Sequence, residues 1–309
     1  MKTKIFNRKQ LKQAGELIKK GELIAFPTET VYGLGANALN PKAVKKIFVV
    51  KGRPSNNPLI IHVCNLKQVE EIAYLNPLAK KLIKKFWPGP LTIILKKKKI
   101  VPKEVTAGLR TVAIRMPDNK TALALIKYSN CPIAAPSANI SGKPSGTCFE
   151  HVYEDFGGKI AGIIKSRQCK IGIESTVLDL TQKIPEILRP GKIIKKQIEK
   201  IIGRVRESKG HVSKPKSPGM AYKHYSPNAK VIIVKNKSQI KEVFKKYSGK
   251  KIKLLIYKNA INMAHNLFKD FRDADKKGFD IIIVKSIQEK SLGNAIMNRL
   301  RKGGKIYQS

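Results

Sequence analysis

Acidic residues are scarce in this chain: 21 Asp and Glu stand against 63 Lys and Arg, a formal net charge of +42 over 309 residues. Such a field attracts polyanions, nucleic acid among them. The surplus is mostly lysine scattered through helix-like stretches such as KKLIKKF and IKEVFKKY, not arginine massed in one block. A solvated lysine-rich surface is therefore the preferred reading over a dedicated RNA groove, with salt-dependent RNA affinity as a secondary expectation. Cysteine is also sparse. Cys64, Cys131, Cys148 and Cys169 lie far apart and form no C-x-x-C, which argues against a zinc ribbon or a redox motif and suits reduced thiols in the cytoplasm. Long apolar runs are missing too. The opening MKTKIFNRKQLKQAGELIKK has no signal-peptide core and no later stretch approaches a membrane span, so the expectation is a soluble cytoplasmic protein without membrane contact. No repeat at a fixed period is present.

What is present is an ordinary globular composition, 42% hydrophobic and 27% charged, in a chain long enough for a large and a small domain. Leu11, Ala14, Leu17 and Ile18 mark a first helix, and ELIAFPT reads as a buried strand ended by Pro27. A helix from about Pro41, the strand PLIIHV and the helix LNPLAKKLIKKFW follow. LTIILK, VAIRMP, PIAAPS, GIIKS, STVLDL and EILRPG are short strand candidates, with a helix from Thr121 to Tyr128. The pattern predicts an α/β domain over 1–202 with a large mixed sheet. GRVRESKGHVSKPKSPGMAYKHYSPNA then lacks any apolar period and reads as a linker over 203–228. KVIIV, KIKLLIY and FDIIIV, each followed by a helical stretch, predict a small Rossmann-like parallel α/β domain over 229–309.

Several motifs are considered for chemistry. GLGANA fits G-x-G-x-x-A after a strand, but the next helix starts only after Asn40-Pro41 and no acidic residue follows at ribose distance; a tight turn at positive φ is the preferred explanation of Gly33 and Gly35. SGKPSGT lacks the P-loop spacing. KGRPSNNPLIIHV places Lys51 and Arg53 in front of a strand, and so at its mouth, where open α/β sheets keep ligands. APSANISGKPSGT supplies Ser137, Asn139, Ser141 and Ser145. Cations backed by hydroxyl and amide donors suit a triphosphate. PTETVYGLG adds Thr28, Glu29 and Thr30 after a strand, suited to a small zwitterion. His62, taken alone, reads rather as a core histidine hydrogen-bonded to backbone. Arg115, inside an apolar strand, requires an anion from the protein or from a ligand.

Taken together, PTETVYGLG, KGRPSNNPLIIHV, FWPGPLT, APSANISG, ESTVLDL, LRPG and SPGMAYKHYSP resemble the threonylcarbamoyl-AMP synthase family in its longer form. The resemblance covers nearly the whole chain. It implies a YrdC-like twisted mixed sheet with flanking helices, followed by the C-terminal domain. It also implies an enzyme that makes L-threonylcarbamoyladenylate from L-threonine, bicarbonate and ATP, with Mg²⁺ accompanying the nucleotide. A separate threonylcarbamoyltransferase complex then modifies tRNA beside the anticodon. By motif position, the resemblance assigns a catalytic tetrad to Lys51, Arg53, Ser137 and Asn139 and no metal ligands. It assigns threonine to Thr30, His62, Arg115, the backbone at Ala135, and Ser175. ATP falls to Arg53, Asn57, Thr111, Ser137, Ser145, Arg189 and Tyr225.

No side-chain nucleophile is required by that chemistry. Electrostatic stabilisation by Lys51 and Arg53 and the orientation of three substrates carry it, and the linker around SPGMAYKHYSP is expected to close as a lid with Tyr225 reaching the nucleotide. The alternative is an RNA-binding module without enzymatic activity, which would bind backbone phosphates with little dependence on Arg115 or His62. A carbamoyltransferase-type maturation factor is disfavoured, since it would carry C-x-x-C zinc motifs and an acylphosphatase-like segment.

Overall fold

The computed structural model of the chain describes residues 2–208 and 225–308; most of the segment expected to act as a lid, 209–224, lies outside the described residues. The first domain is built on strands β1 (Lys4–Phe6), β2 (Ile24–Phe26), β3 (Gly33–Asn37), β4 (Ile60–His62), β5 (Leu91–Lys96), β6 (Thr111–Arg115), β7 (Ile133–Ala135), β8 (Gly162–Ile164), β9 (Thr176–Asp179), β10 (Glu186–Arg189) and β11 (Arg206–Glu207). They form one mixed sheet in the order β1-β8-β2-β3-β7-β4-β6-β5-β9-β10-β11. Its helices are α1 (Leu11–Lys19), α2 (Pro41–Lys51), α3 (Leu66–Ile72), α4 (Pro77–Phe86), α5 (Lys103–Thr106), α6 (Lys120–Ser129), α7 (Phe149–Phe156) and α8 (Lys195–Ile202). No helix among the described residues is long and apolar enough to cross a membrane.

The two faces of this sheet differ. Ile61, Ile93, Ile114, Ala134 and Leu178 point to a large core shared with α2, α3, α4, α5, α7 and α8. On the opposite face, α1 and α6 cover only one end, packing on Ile24, Phe26, Ile133 and Ala135. The middle of that face is left for a cleft.

Gly33 and Gly35 are strand residues within β3, and neither has positive φ, so the turn expected there does not exist. Crowding is the reason for both. A Cβ on Gly35 would lie 2.8 Å from Ile133 Cγ2 and 2.9 Å from the Phe26 ring, and one on Gly33 would lie 3.1 Å from that ring. The absence of side chains lets Phe26 cross the strand.

The second domain holds β12 (Lys230–Val234), β13 (Ile252–Leu255), β14 (Ile281–Lys285) and β15 (Lys305–Ile306), all parallel in the order β13-β14-β12-β15. Helix α9 (Lys237–Lys246) packs on one face, while α10 (Ala260–Lys276) and α11 (Leu292–Gly303) pack on the other. Val31, Ile171, Ile173 and Tyr225 join the α10/α11 core, so that face is the one docked on the first domain. Two buried arginines cross the junction. Arg272 of α10 pairs with Asp155 at 2.6 Å and donates to the Pro144 carbonyl, and Arg299 of α11 pairs with Glu174 at 3.0 Å.

Gly35→Ala tests the crowding directly. It should lower stability by about 1–3 kcal/mol, the usual cost of overpacking a filled core, measured by urea unfolding. An unchanged midpoint would show that the space beside Phe26 is not filled.

Candidate active site

Asn40 caps α2 by accepting from the backbone of Lys42 and Ala43, and Pro41 opens the helix. Gly52, at φ +59°, closes it, leaving Lys51 in the last turn and turning the chain sharply into the loop before β4. The Lys51 side chain is buried, 2% exposed, and its ammonium donates to the carbonyls of Ser137, at 2.7 Å, and Asn139. Burial, reinforced by Arg53, pushes its pKa well below the ordinary lysine value. Arg53 folds back to donate to the carbonyls of Asn57 and Pro58 at 3.2–3.3 Å, which ties its loop together.

The loop after β7 forms the facing wall. Ser137 Oγ donates to Asn139 Oδ1 at 2.6 Å, and the Asn139 amide donates to the carbonyls of Ile140 and Lys143. Ser141 N donates to the Lys51 carbonyl at 2.9 Å, so the two walls are joined by backbone as well as by the ammonium.

Strand register builds the floor. Ile60 pairs with Ala113 and Ala135, and His62 pairs with Arg115 and Ile133, so these side chains share the face opposite the large core. The site thus lies across the face of β7-β4-β6, not at the strand mouths where it was expected. The anion that Arg115 requires is Glu29, at 2.6 Å; Arg115 also donates to Thr30 Oγ1 at 2.9 Å. His62 meets the Phe26 ring edge, and its Nδ1 has no hydrogen-bond partner among the described residues. Burial and then Arg115 lower its pKa to about 3, so the imidazole is neutral at physiological pH.

The remaining wall is made by Glu174, Arg189 and Tyr225. Arg189 donates to the Ser175 carbonyl and to Ser175 Oγ, and burial lowers its pKa to about 10. Glu174 Oε1 accepts from Ser145 Oγ at 2.6 Å. Burial pushes the Glu174 carboxyl up, but Arg299 and Arg189 together with the Ser145 hydroxyl outweigh it and hold the pKa below the usual range. Tyr225 stacks on Phe268 of α10, and burial raises its pKa to about 12.

Together these walls bound one cleft. Lys51, Arg53, Ser137, Asn139, Thr30, His62, Arg115, Ala135, Arg189 and Tyr225 all line it. Ser145 and Ser175 stand one hydrogen bond behind the wall, on Glu174 and Arg189. Asn57 is buried behind Arg53. Thr111 is not brought to the cleft: it opens β6 beside Lys96, roughly 13 Å along the strand from Arg115 at ~3.3 Å per residue. Sequence reasoning missed Glu174 and Lys143 in the wall and Arg299 behind it. Glu174 was within reach, since it adjoins Ser175 in ESTV.

No group of three or more His, Cys, Asp or Glu side chains among the described residues could hold a metal ion, and Glu29 and Glu174 are committed to arginines. The donor set therefore does not fit a metal held by the protein. It fits a polyanion.

Comparison with known proteins agrees with this geometry. A family model described as telomere recombination matches residues 16–191, and one described as threonylcarbamoyl-AMP synthase, C-terminal domain, matches 193–304. The threonylcarbamoyl-AMP synthase of Pyrococcus abyssi is 48% identical over 95% of this chain and 93% of its own length. That of Bacillus subtilis is 46% identical over 98% and 95%. The crystal structure of P. abyssi Sua5 complexed with L-threonine superposes with a TM-score of 0.94 at 47% identity, covering 97% of both chains. Joined to the cationic cleft and the docked parallel domain, these full-length likenesses mean that the chain belongs to the threonylcarbamoyl-AMP synthase family, in its two-domain form.

Proposed function

We propose that the cleft joins L-threonine, bicarbonate-derived carbon dioxide and ATP into L-threonylcarbamoyl-AMP, releasing pyrophosphate. The observation that carries this reading is the placement of Lys51, Arg53 and Arg189 around a floor carrying Thr30, His62 and Arg115 in one cavity. Positive groups and a polar pocket are thereby available to a nucleotide and an amino acid side by side. That the P. abyssi relative forms a complex with L-threonine supports threonine as the amino acid.

The threonine ammonium first loses a proton; the free amine then bonds through nitrogen to the carbon of carbon dioxide and sheds a second N–H proton to water, giving an N-carboxylate. An oxygen of that carboxylate attacks the α-phosphorus, the bond from phosphorus to the bridging oxygen breaks, and pyrophosphate leaves. The protein supplies no covalent partner. Lys51, already desolvated and aimed by two carbonyls, stabilises charge on the phosphates at little reorganisation cost; Arg53 and Arg189 assist. Arg115 and Glu29 form a nearly neutral pair, so the floor can orient a zwitterion without an excess charge of its own. His62, neutral, offers a lone pair or an N–H to threonine. Because no carboxylate cluster fits a metal, Mg²⁺ enters with ATP as its counterion. The product passes to a tRNA threonylcarbamoyltransferase complex in the cytoplasm, and the +42 charge supports weak, salt-sensitive tRNA contact beside the reaction.

Four outcomes test this reading. Mass spectrometry after incubation with ATP, Mg²⁺, bicarbonate and single amino acids should find the adenylate with threonine only. Lys51→Met should lower kcat/KM for ATP by about 10²–10³, the cost of losing one preorganised electrostatic group, while Arg115→Ala strands Glu29 and removes threonine-dependent pyrophosphate release. Since the His62 pKa lies near 3, the pH profile of kcat/KM for threonine should show no His62 inflection near the free-imidazole value of about 6.5. An inflection there that disappears in His62→Asn would show that His62 titrates during turnover.

A further inference from the structure

Glu174 is out of place in a cleft for polyanions. It lines the cavity at 6% exposure, where an unpaired carboxylate would repel a triphosphate. Its charge is met from the other domain. Arg299 of α11, with no exposed side-chain surface, reaches it with Nε at 3.0 Å from Oε2, and Nη2 lies 3.4 Å from the Glu174 carbonyl. The same guanidinium donates through Nη1 to the carbonyl of Pro190 at 2.8 Å, one residue after Arg189, and its centre lies 5.9 Å from the Tyr225 ring. The second Glu174 oxygen accepts from Ser145 Oγ. One fork from the C-terminal domain thus touches the supports of Ser145 and Arg189 together with Tyr225. An ammonium cannot reproduce that span, because it is a point donor without the planar fork.

We propose that Arg299 is a positioning residue for the synthase reaction: by neutralising Glu174 and fixing the Pro190 turn, it makes the nucleotide wall depend on the docked C-terminal domain. This inference rests on the reading of Ser145 and Arg189 as ATP contacts. Nearby Lys302 fits the same balance, since burial and then Arg299 and Arg189 push its ammonium down to about 8, as expected where positive charge is already in excess.

The test uses the full chain with Arg299→Met, Glu174→Gln, the double variant and Arg299→Lys, with KM for ATP and for threonine measured separately by pyrophosphate release. Arg299→Met leaves the carboxylate facing the phosphates and should raise KM for ATP about tenfold, with KM for threonine within about twofold. Adding Glu174→Gln removes the stranded charge and should restore most of the ATP affinity. Arg299→Lys should fall between, and it keeps the test decisive should Arg299→Met fail to fold. Equal rises in both KM values, or a double variant no better than Arg299→Met, would reduce Arg299 to a docking contact and overturn the proposal. Arg189→Ala separates the two levels. If it leaves KM for ATP unchanged, the nucleotide placement itself is wrong; if it raises that KM while Arg299→Met does not, only the role of Arg299 falls.

Discussion

The rest of the site depends on a lysine ammonium taken out of water without a carboxylate to neutralise it. Lys51 is satisfied by the carbonyl dipoles of Ser137 and Asn139, and no acidic side chain among the described residues lies within ion-pair distance of it. Carbonyls fix its direction but leave its net charge unspent, and burial destabilises that charge until an anion arrives. A carboxylate partner would have made the pair stable and inert. The cleft is therefore poised to favour phosphate or carbamate oxygens at this one point.

A second principle governs the other charged groups. Arg115 with Glu29, Arg272 with Asp155 and Arg299 with Glu174 are buried and paired at 2.6–3.0 Å. Such pairs contribute little net stability, since desolvation offsets attraction, but they impose geometry because a broken pair is costly. Two of them span the domains. The C-terminal domain is thus held by directional contacts placed directly behind the cleft, on the loop carrying Ser145 and on the segment carrying Glu174, and not by apolar packing alone.

Legibility in the sequence followed the range of the interactions. Helix α2, with its Asn-Pro start and Gly end, and the alternating strands and helices beyond residue 229 are set by neighbours in the chain, and they read directly. Lys51, Arg53, Ser137 and Asn139 could be grouped because they sit at a helix end and on short loops flanking recognisable strands. GLGANA was misread because the crowding by Phe26 and Ile133 comes from other strands and leaves no local trace. The location of the site on the sheet face, not at its mouth, follows from pairing among β4, β6 and β7, which alternation alone does not reveal. Arg272 and Arg299 were invisible for a related reason. On an amphipathic helix an arginine looks like a solvated surface residue until another domain covers it.

The capped helix α2 has one further consequence. It acts as a ruler between Asn40 and Gly52: each inserted or deleted residue would swing Lys51 by about 100° around the axis and away from its carbonyls. Its length is therefore frozen, whereas its outer side chains are free to drift. A lineage can load that outer surface with lysine, as this one has with Lys42, Lys45 and Lys46, while the ammonium that matters keeps its place.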